Sequence, residues 1–384
     1  MKCKLSDICG FRKGKVSVST LTLQTYVSTE NMLPNKGGII VANSLPTVEF
    51  TQEYKKGDIL VSNIRPYFKK IWQARWDGGC SNDVLVFQGN SNINRDFLYY
   101  ILANDDFFAY SMATSKGTKM PRGDKTSIMK YEVPAFDIDT QIRIASVIRC
   151  LDEKIELNAA INKNLEQQIK TLYTYYFVDG RKDDWKEIPL SEIIFFQEGP
   201  GIRNWQYVED GVKFINIHCI SNGEIDTSTA NKISNAEASG KYSHFMLEPY
   251  DIVMSCSGTL GRYAIVQQKD LPLCLNTSVI RFRPKHYDSD YSYVYGYMTS
   301  NEFLNQQQMM ANGSAQVNFG PTHLKKIAIY EPPIQLRKKF NDLVFSMIER
   351  LIANRAESNS LVKIRDTLLP KLMSGEVDVS NIDF

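Results

Sequence analysis

Histidine and cysteine carry most nucleophilic and metal chemistry, and this chain spaces them for neither. Its four histidines (His218, His244, His286, His323) and seven cysteines (Cys3, Cys9, Cys80, Cys150, Cys219, Cys256, Cys274) are scattered, with no C-x-x-C pair. Neither a zinc module nor a disulfide framework is therefore expected. His218 and Cys219 are adjacent, but a strand would send them to opposite faces, which does not make a nucleophile–base pair. His323 with Lys325 could meet a phosphate, but a solvated surface is the better reading of them. No G-x-x-x-x-G-K-[ST] loop is present and no G-x-G-x-x-G follows a strand-like run, so ATP and dinucleotide fingerprints are missing. Glu331-Pro332-Pro333-Ile334 has the two prolines of an amine-methylating tetrapeptide, but Glu stands first and no aromatic residue stands last. The carboxylates show no metal-ligand spacing. The expectation is a chain that breaks no bonds by itself, with no metal or cofactor of its own.

Binding is the remaining chemistry. Basic and aromatic residues gather in turn-like stretches of the first half: Arg12-Lys13-Gly14-Lys15, Arg65-Pro66-Tyr67-Phe68-Lys69-Lys70 and Lys116-Gly117-Thr118-Lys119-Met120-Pro121-Arg122-Gly123. Matching stretches of the second half are Gly201-Ile202-Arg203-Asn204-Trp205-Gln206, Ser255–Arg262 and 312–318. Arg, Lys, Ser, Thr, Asn and Gln on Gly-flanked loops reach phosphates and base edges alike. The candidate DNA contacts are Arg12, Lys15, Arg65, Tyr67, Lys69, Lys116, Thr118, Lys119 and Arg122, then Arg203, Asn204, Trp205, Ser255, Ser257, Thr259, Arg262, Ser314, Gln316 and Asn318. Singly, each cluster also fits a solvated turn; together they fall at corresponding places in two halves. The whole chain is only +2, with +4 on residues 1–140 and −3 on 186–333, so binding charge must be segregated onto loops.

The elements that would position these loops occur twice. Leu5-Ser6-Asp7-Ile8 returns as Leu190-Ser191-Glu192-Ile193, 185 residues later. Gly57–Ser62 returns as Tyr250–Ser255 at 193, Val84–Phe87 as Val279–Phe282 at 195, and Phe97–Tyr100 as Tyr293–Gly296 at 196. Gly117-Thr118 matches Gly313-Ser314 at the same 196. A slowly rising offset is what small loop insertions produce in a duplicated unit. Each half predicts short strands such as Gly38–Val41 and Phe214–Ile217, and one amphipathic helix (near 95–110 and 290–309). A last strand (129–136 and 326–330) and a long helix (139–177 and 335–373) follow. In the first long helix Ile144, Ile148, Leu151, Ile155, Asn158, Asn162, Leu165, Ile169, Leu172 and Tyr176 alternate by four and three, a heptad seam. Adding 196 gives Phe340, Val344, Met347, Leu351, Asn354, Ser358, Leu361, Arg365, Leu368 and Leu372, with Ile364 beside Arg365 to restore the apolar face. Antiparallel pairing would set Asn158 and Asn162 against Asn354 and Ser358, polar residues that fix register at some expense of stability.

At 384 residues and ~150 per domain, the chain predicts two or three domains. No apolar run approaches the ~20 residues of a membrane span, and Met1-Lys2-Cys3-Lys4 leads into no signal-peptide core, so a cytoplasmic location is expected.

The residues resemble a known family, the specificity subunit of type I restriction–modification systems. Leu165–Asp179 is similar to its central conserved region and Ile364–Glu376 to its C-terminal one. Gly57–Ser62, Ser255–Arg262 and Gly117–Pro121 resemble hallmarks of its target-recognition domains. The first half departs after Ser62, reading Asn63-Ile64-Arg65-Pro66 where the second has Ser257-Gly258-Thr259-Leu260-Gly261. The resemblance implies an α+β fold of two tandem mixed α/β recognition domains separated by two long helices in an antiparallel, pseudo-twofold coiled coil. The expected segments are 1–138 and 186–333 for recognition, 139–180 and 334–376 for the helices, and a 377–384 tail. It implies a non-catalytic subunit in which each domain reads half of a bipartite asymmetric site in double-stranded DNA. The helices would set the spacer and dock two methyltransferase subunits. Motor/nuclease subunits would join for restriction, and methyl donor, ATP and magnesium would belong to these partners. Two alternatives stay open from the residues alone: a stand-alone duplicated DNA-binding protein and a protein-only scaffold. Binding to random DNA at several salt concentrations, with and without a methyltransferase subunit, separates the three.

Exchanging residues 186–333 for the matching unit of a relative should change one half of the methylated motif and leave the other intact; sequencing host DNA for methylated positions reads the outcome, and a change in both halves would show that the halves are not modular.

Overall fold

The structure, a computed structural model, describes residues 2–380 and Ile382 except for Asn222, Thr259 and 312–318. The chain divides into two compact units: Met1–Glu156 with Asn359–Phe384, and Leu157–Ser358.

In the first unit an antiparallel sheet has the order Cys9–Phe11, Val84–Gly89, Ile59–Ser62, Ile71–Gln73. Its central strands are apolar at nearly every position because both faces are covered. Ile59, Val61, Leu85 and Phe87 point into a core with the helices, while Leu60, Val84 and Val86 point toward Tyr54 and Cys80 of a second sheet. That alternation is the period of two built into a strand. The second sheet runs Lys15–Ser17, Phe50–Tyr54, Gly78–Cys80, Tyr26–Val27, its last pair parallel.

The second unit repeats the first sheet strand for strand: Ile194–Glu198, Val279–Pro284, Ile252–Ser255, Tyr263–Ile265. The register is also the same. Ile59 faces Phe87 and Ser62 faces Val84, as Ile252 faces Phe282 and Ser255 faces Val279. The other sheet has diverged; it keeps the parallel pair (Val212–Ile215 with Leu273–Leu275) but attaches Asn231–Ile233 and Tyr207–Val208 on the far side.

Three sequence expectations are corrected. The single helix of each half is two helices: Arg95–Ala103 and Asp105–Ala113, then Tyr287–Thr299 and Asn301–Ala311. Asn104 and Ser300, 196 residues apart, are extended and each caps the second helix of its pair: Asn104 accepts from the Asp106 amide and Ser300 Oγ from the Phe303 amide. Gly38–Val41 is not a strand; Ile39 makes one bridge to Met32, and Ile40 and Val41 are exposed. Cys219 and His218 sit in a 3-10 turn, Ile217–Cys219, with the cysteine buried and the histidine outside.

The long helices span Ile138–Tyr173, continued by a π-helical turn at Thr174–Asp179, and Ile334–Ser374. Each unit takes one part of each helix, and within each unit the two parts run antiparallel. In the first unit Ile144 and Ile148 share a core with Leu369, Leu372 and Met373. Asp152 pairs with Arg365 at 2.8 Å and also accepts from Tyr100 at 2.9 Å. Arg365 thus occupies the seam through its carboxylate partner, and Ile364, the apolar candidate for that place, is exposed. In the second unit Ile169, Tyr173 and Phe177 join Phe340, Val344, Ile348 and Leu351. Near Leu157 and Ser358 the seam turns polar. Asn354 Nδ2 donates to Asn162 Oδ1 at 2.8 Å, and Asn158 Nδ2 donates to Glu357 at 2.8 Å and to Ser358 Oγ at 3.3 Å. Arg355 pairs with Glu166 at 2.6 Å and donates to the Gly223 carbonyl. Gly223, in the hairpin of Ile220–Ser221 with Glu224–Ile225, has φ +78°, a left-handed backbone that favours glycine, and a Cβ there would crowd the Arg355 guanidinium.

Asn354→Leu should leave Asn162 Oδ1 without its donor and cost ~1–3 kcal/mol in chemical denaturation, whereas Asn354→Leu with Asn162→Leu should recover most of the loss, because neither side chain is then left with an unpaired polar atom.

Candidate nucleic-acid interface

In the first unit three loops lie side by side. The loop after Ser62 makes a 3-10 turn at Pro66–Phe68. The Arg65 amide donates to Pro121 O at 2.8 Å, Ile64 bridges Arg122, and the Gly123 amide donates to Asn63 O, which zips this loop to 114–124. On its other side the amides of Asn35 and Lys36 donate to Phe68 O and Lys69 O, each at 2.8 Å. Residues 33–38, 63–70 and 114–124 therefore form one continuous surface. It gathers Arg65, Tyr67, Lys69, Lys116, Thr118, Lys119 and Arg122, with Tyr67, Met120 and the ends of Lys116, Lys119 and Arg122 exposed.

This surface is also where the backbone is held against its preference. Among the described residues five that are not glycine have a left-handed φ, and four of them are here: Asn35, Lys36, Arg65 and Lys69, at φ 50–62°. Such residues persist only where surrounding contacts over-determine them, and they gather at functional sites. Asn63 Oδ1 and Arg65 Nε are buried without a partner beside them. Carboxylates meet the cations: Asp105 joins Lys36 at 2.9 Å and Lys69 at 2.8 Å, Asp83 joins Arg122 at 3.1 Å, and Asp124 joins Lys116 at 2.5 Å. Lys116, with the Ser127 amide, holds the Asp124 carboxyl down to about 2, so it stays charged.

Arg12 and Lys15 form a separate group. Arg12 is largely buried, its guanidinium bidentate on Asp58, which stands at the start of the central strand. Lys15 lies exposed on the strand paired with Phe50–Tyr54.

In the second unit Arg203, Asn204 and Trp205 are exposed on a 3-10 turn, Asn204–Gln206, anchored by Gln206 on Glu237 (2.7 Å) and Tyr242 (3.1 Å). Trp205 is 81% exposed, the most of any large apolar residue described. The chain turns after Leu275, where the Val279 amide donates to Asn276 O, and a Cβ at Gly199 would lie 2.5–2.6 Å from the backbone of Leu275 and Asn276, so glycine alone lets Gly199 run against that turn. The loop after Ser255 leans on the same turn, its Cys256 amide donating to Ser278 O. Ser255 itself is buried, and its amide donates to Arg262 O; Ser257 is half-buried and Arg262 exposed. Thr259, Ser314, Gln316 and Asn318 lie outside the described residues. Sequence reasoning missed Asn35, Lys36 and Asp105; the turn-forming Pro34-Asn35-Lys36-Gly37-Gly38 was the available signal.

The family model described as the type I restriction modification DNA specificity domain matches residues 1–167 and again 182–361. The chain is 25% identical to the type I restriction enzyme HindI specificity subunit of Haemophilus influenzae, over 92% of this chain and 94% of that one. It is 24% identical to the MjaVIII specificity subunit of Methanocaldococcus jannaschii, over 79% and 75%. Its fold is similar to the crystal structure of a type I restriction–modification S subunit from M. genitalium, with a TM-score of 0.59 at 18% identity over 97% of this chain and 96% of that one. Two matches covering both halves, on a fold that repeats its central sheet in register, make the chain a member of the type I restriction modification DNA specificity domain family, carrying that domain twice.

Proposed function

We propose that this chain is the DNA specificity subunit of a type I restriction–modification complex, each unit reading one half of a bipartite asymmetric site in double-stranded DNA. One observation carries the reading: the same four-stranded sheet, in the same register, is built twice, while the loops beside it differ in sequence and charge. A repeated frame under unlike loops suits two readers of unlike half-sites, since frames position and loop side chains specify. The chain serves two methyltransferase subunits and, for restriction, motor/nuclease subunits. Methyl donor, ATP and magnesium act in those partners. A complex of this kind also accounts for a net charge of only +2, because partners share the backbone grip that dominates affinity for DNA. The long helices, with Asn158, Asn162, Asn354 and Ser358 setting their register, act as the spacer and as the dock for the methyltransferases.

Lys119→Ala with Arg122→Ala should leave the melting temperature unchanged, weaken binding of the assembled complex to all duplexes, and flatten the plot of log affinity against log salt by about one per lost phosphate contact.

Inserting one heptad after Glu156 and one after Ser358 leaves every contact within either unit in place and lengthens each helix by ~10 Å, about three base pairs of duplex. Methylation mapping should then find the same two half-sites across a gap longer by about three base pairs; an unchanged gap would remove the helices as the spacer.

A further inference from the structure

The three carboxylates on the loop surface of the first unit are not needed by the fold. Asp105 is 60% exposed and Asp83 35%, and exposed pairs of this kind add little to stability. Asp124 caps the short helix Lys125–Ile128 through the Ser127 amide, a task that asparagine performs equally well. Yet each sits on a cation that the strained, zipped loops present: Lys36 and Lys69 on Asp105, Arg122 on Asp83, Lys116 on Asp124. Four cations are thereby held by three anions, while Lys119 has no ion pair among the described residues. A surface meant only to grip polyanions would leave them out, because each anion lies well within a Debye length of an approaching phosphate.

We propose that Asp83, Asp105 and Asp124 determine specificity in the first unit by masking Lys36, Lys69, Lys116 and Arg122 from DNA that does not fit. Each cation exchanges its carboxylate for a phosphate or base edge only where the duplex places an acceptor close enough to compete. A poorly fitting duplex meets four cations already paired with carboxylates, and a correct half-site meets four released donors. Repulsion of the wrong partner is then built in beside attraction of the right one. The bidentate geometry of arginine makes Arg122 suited to a guanine edge, and the lysines suited to phosphates. This inference rests on the reading of the chain as a DNA specificity subunit.

The test uses the full chain assembled with its methyltransferase subunits and carrying Asp83→Asn, Asp105→Asn and Asp124→Asn, with Asp105→Asn alone as a second variant that leaves the other pairs intact. Glu132→Gln is the control, because Glu132 is an exposed carboxylate of the same unit that pairs with Lys2 at 3.3 Å rather than with a cation of these loops. Binding is titrated against a random-sequence duplex and against a duplex bearing the motif found methylated in host DNA. The triple variant should bind random DNA at least about tenfold more tightly, with a salt slope steeper by about one per carboxylate removed, and should discriminate the motif less by a similar factor. Asp105→Asn should show a fraction of this effect in the same direction. Equal gains on both duplexes, or the same gain per charge from Glu132→Gln, would reduce the effect to net charge and overturn the proposal. No change in a complex that still discriminates its motif would also overturn it. A native complex that fails to distinguish the two duplexes would instead strike at the specificity reading on which the proposal stands.

Discussion

Neither globular unit can bury its apolar face without both long helices. The sheet of each unit is covered on one side by a second sheet and on the other by short helices, and the long helices close the remaining edge of that helical layer. Ile144, Ile148, Leu369 and Leu372 serve one core; Ile169, Phe340, Val344 and Leu351 serve the other. Each such side chain contributes ~1.5–3 kcal/mol when fully buried, more than any exposed ion pair on the molecule. This is why the first unit reaches to residues 359–384 for part of its core, and why chain order and compact units do not coincide.

Polar residues at the helix seam do a different job from the apolar ones. The bond from Asn354 to Asn162, the reach of Asn158 to Glu357 and Ser358, and the pairs Arg365–Asp152 and Arg355–Glu166 each demand one alignment of the helices. A buried polar group out of register loses its partner and is penalised, so these contacts select among alignments that the heptads alone would leave close in energy. The two ion pairs are not related by the 196-residue repeat, so each unit has its own match of helix to helix.

Duplication has been kept where packing constrains it and lost where solvent does not. Sheet register is retained because a slip of one residue would turn every side chain to the wrong face. The loops at the ends of those strands carry clustered lysine and arginine with four left-handed residues in one unit, and a solvent-facing tryptophan with Arg203, Arg262 and neutral polar residues in the other.

By itself the sequence determined the repeat, the strands that pair at its centre, and the heptad seam with its polar middle. Those features are periodic or recurrent, and period and recurrence can be read from one dimension. The break at Asn104 and Ser300 was hidden inside helical periodicity, since capping depends on one backbone conformation and one hydrogen bond. Ile364 was available beside Arg365 to restore an apolar seam because hydrophobicity ignores a partner 213 residues away, Asp152. The candidate site was legible as basic loops, and Lys69, Lys119 and Arg122 do share one surface. Only the tertiary structure decided that Asn35 and Lys36 complete it, that Arg12 is held by Asp58, and that Asp83, Asp105 and Asp124 sit on its cations. These are contacts between loops distant in sequence, set by backbone hydrogen bonds and charge pairing, which leave no period for a sequence to display.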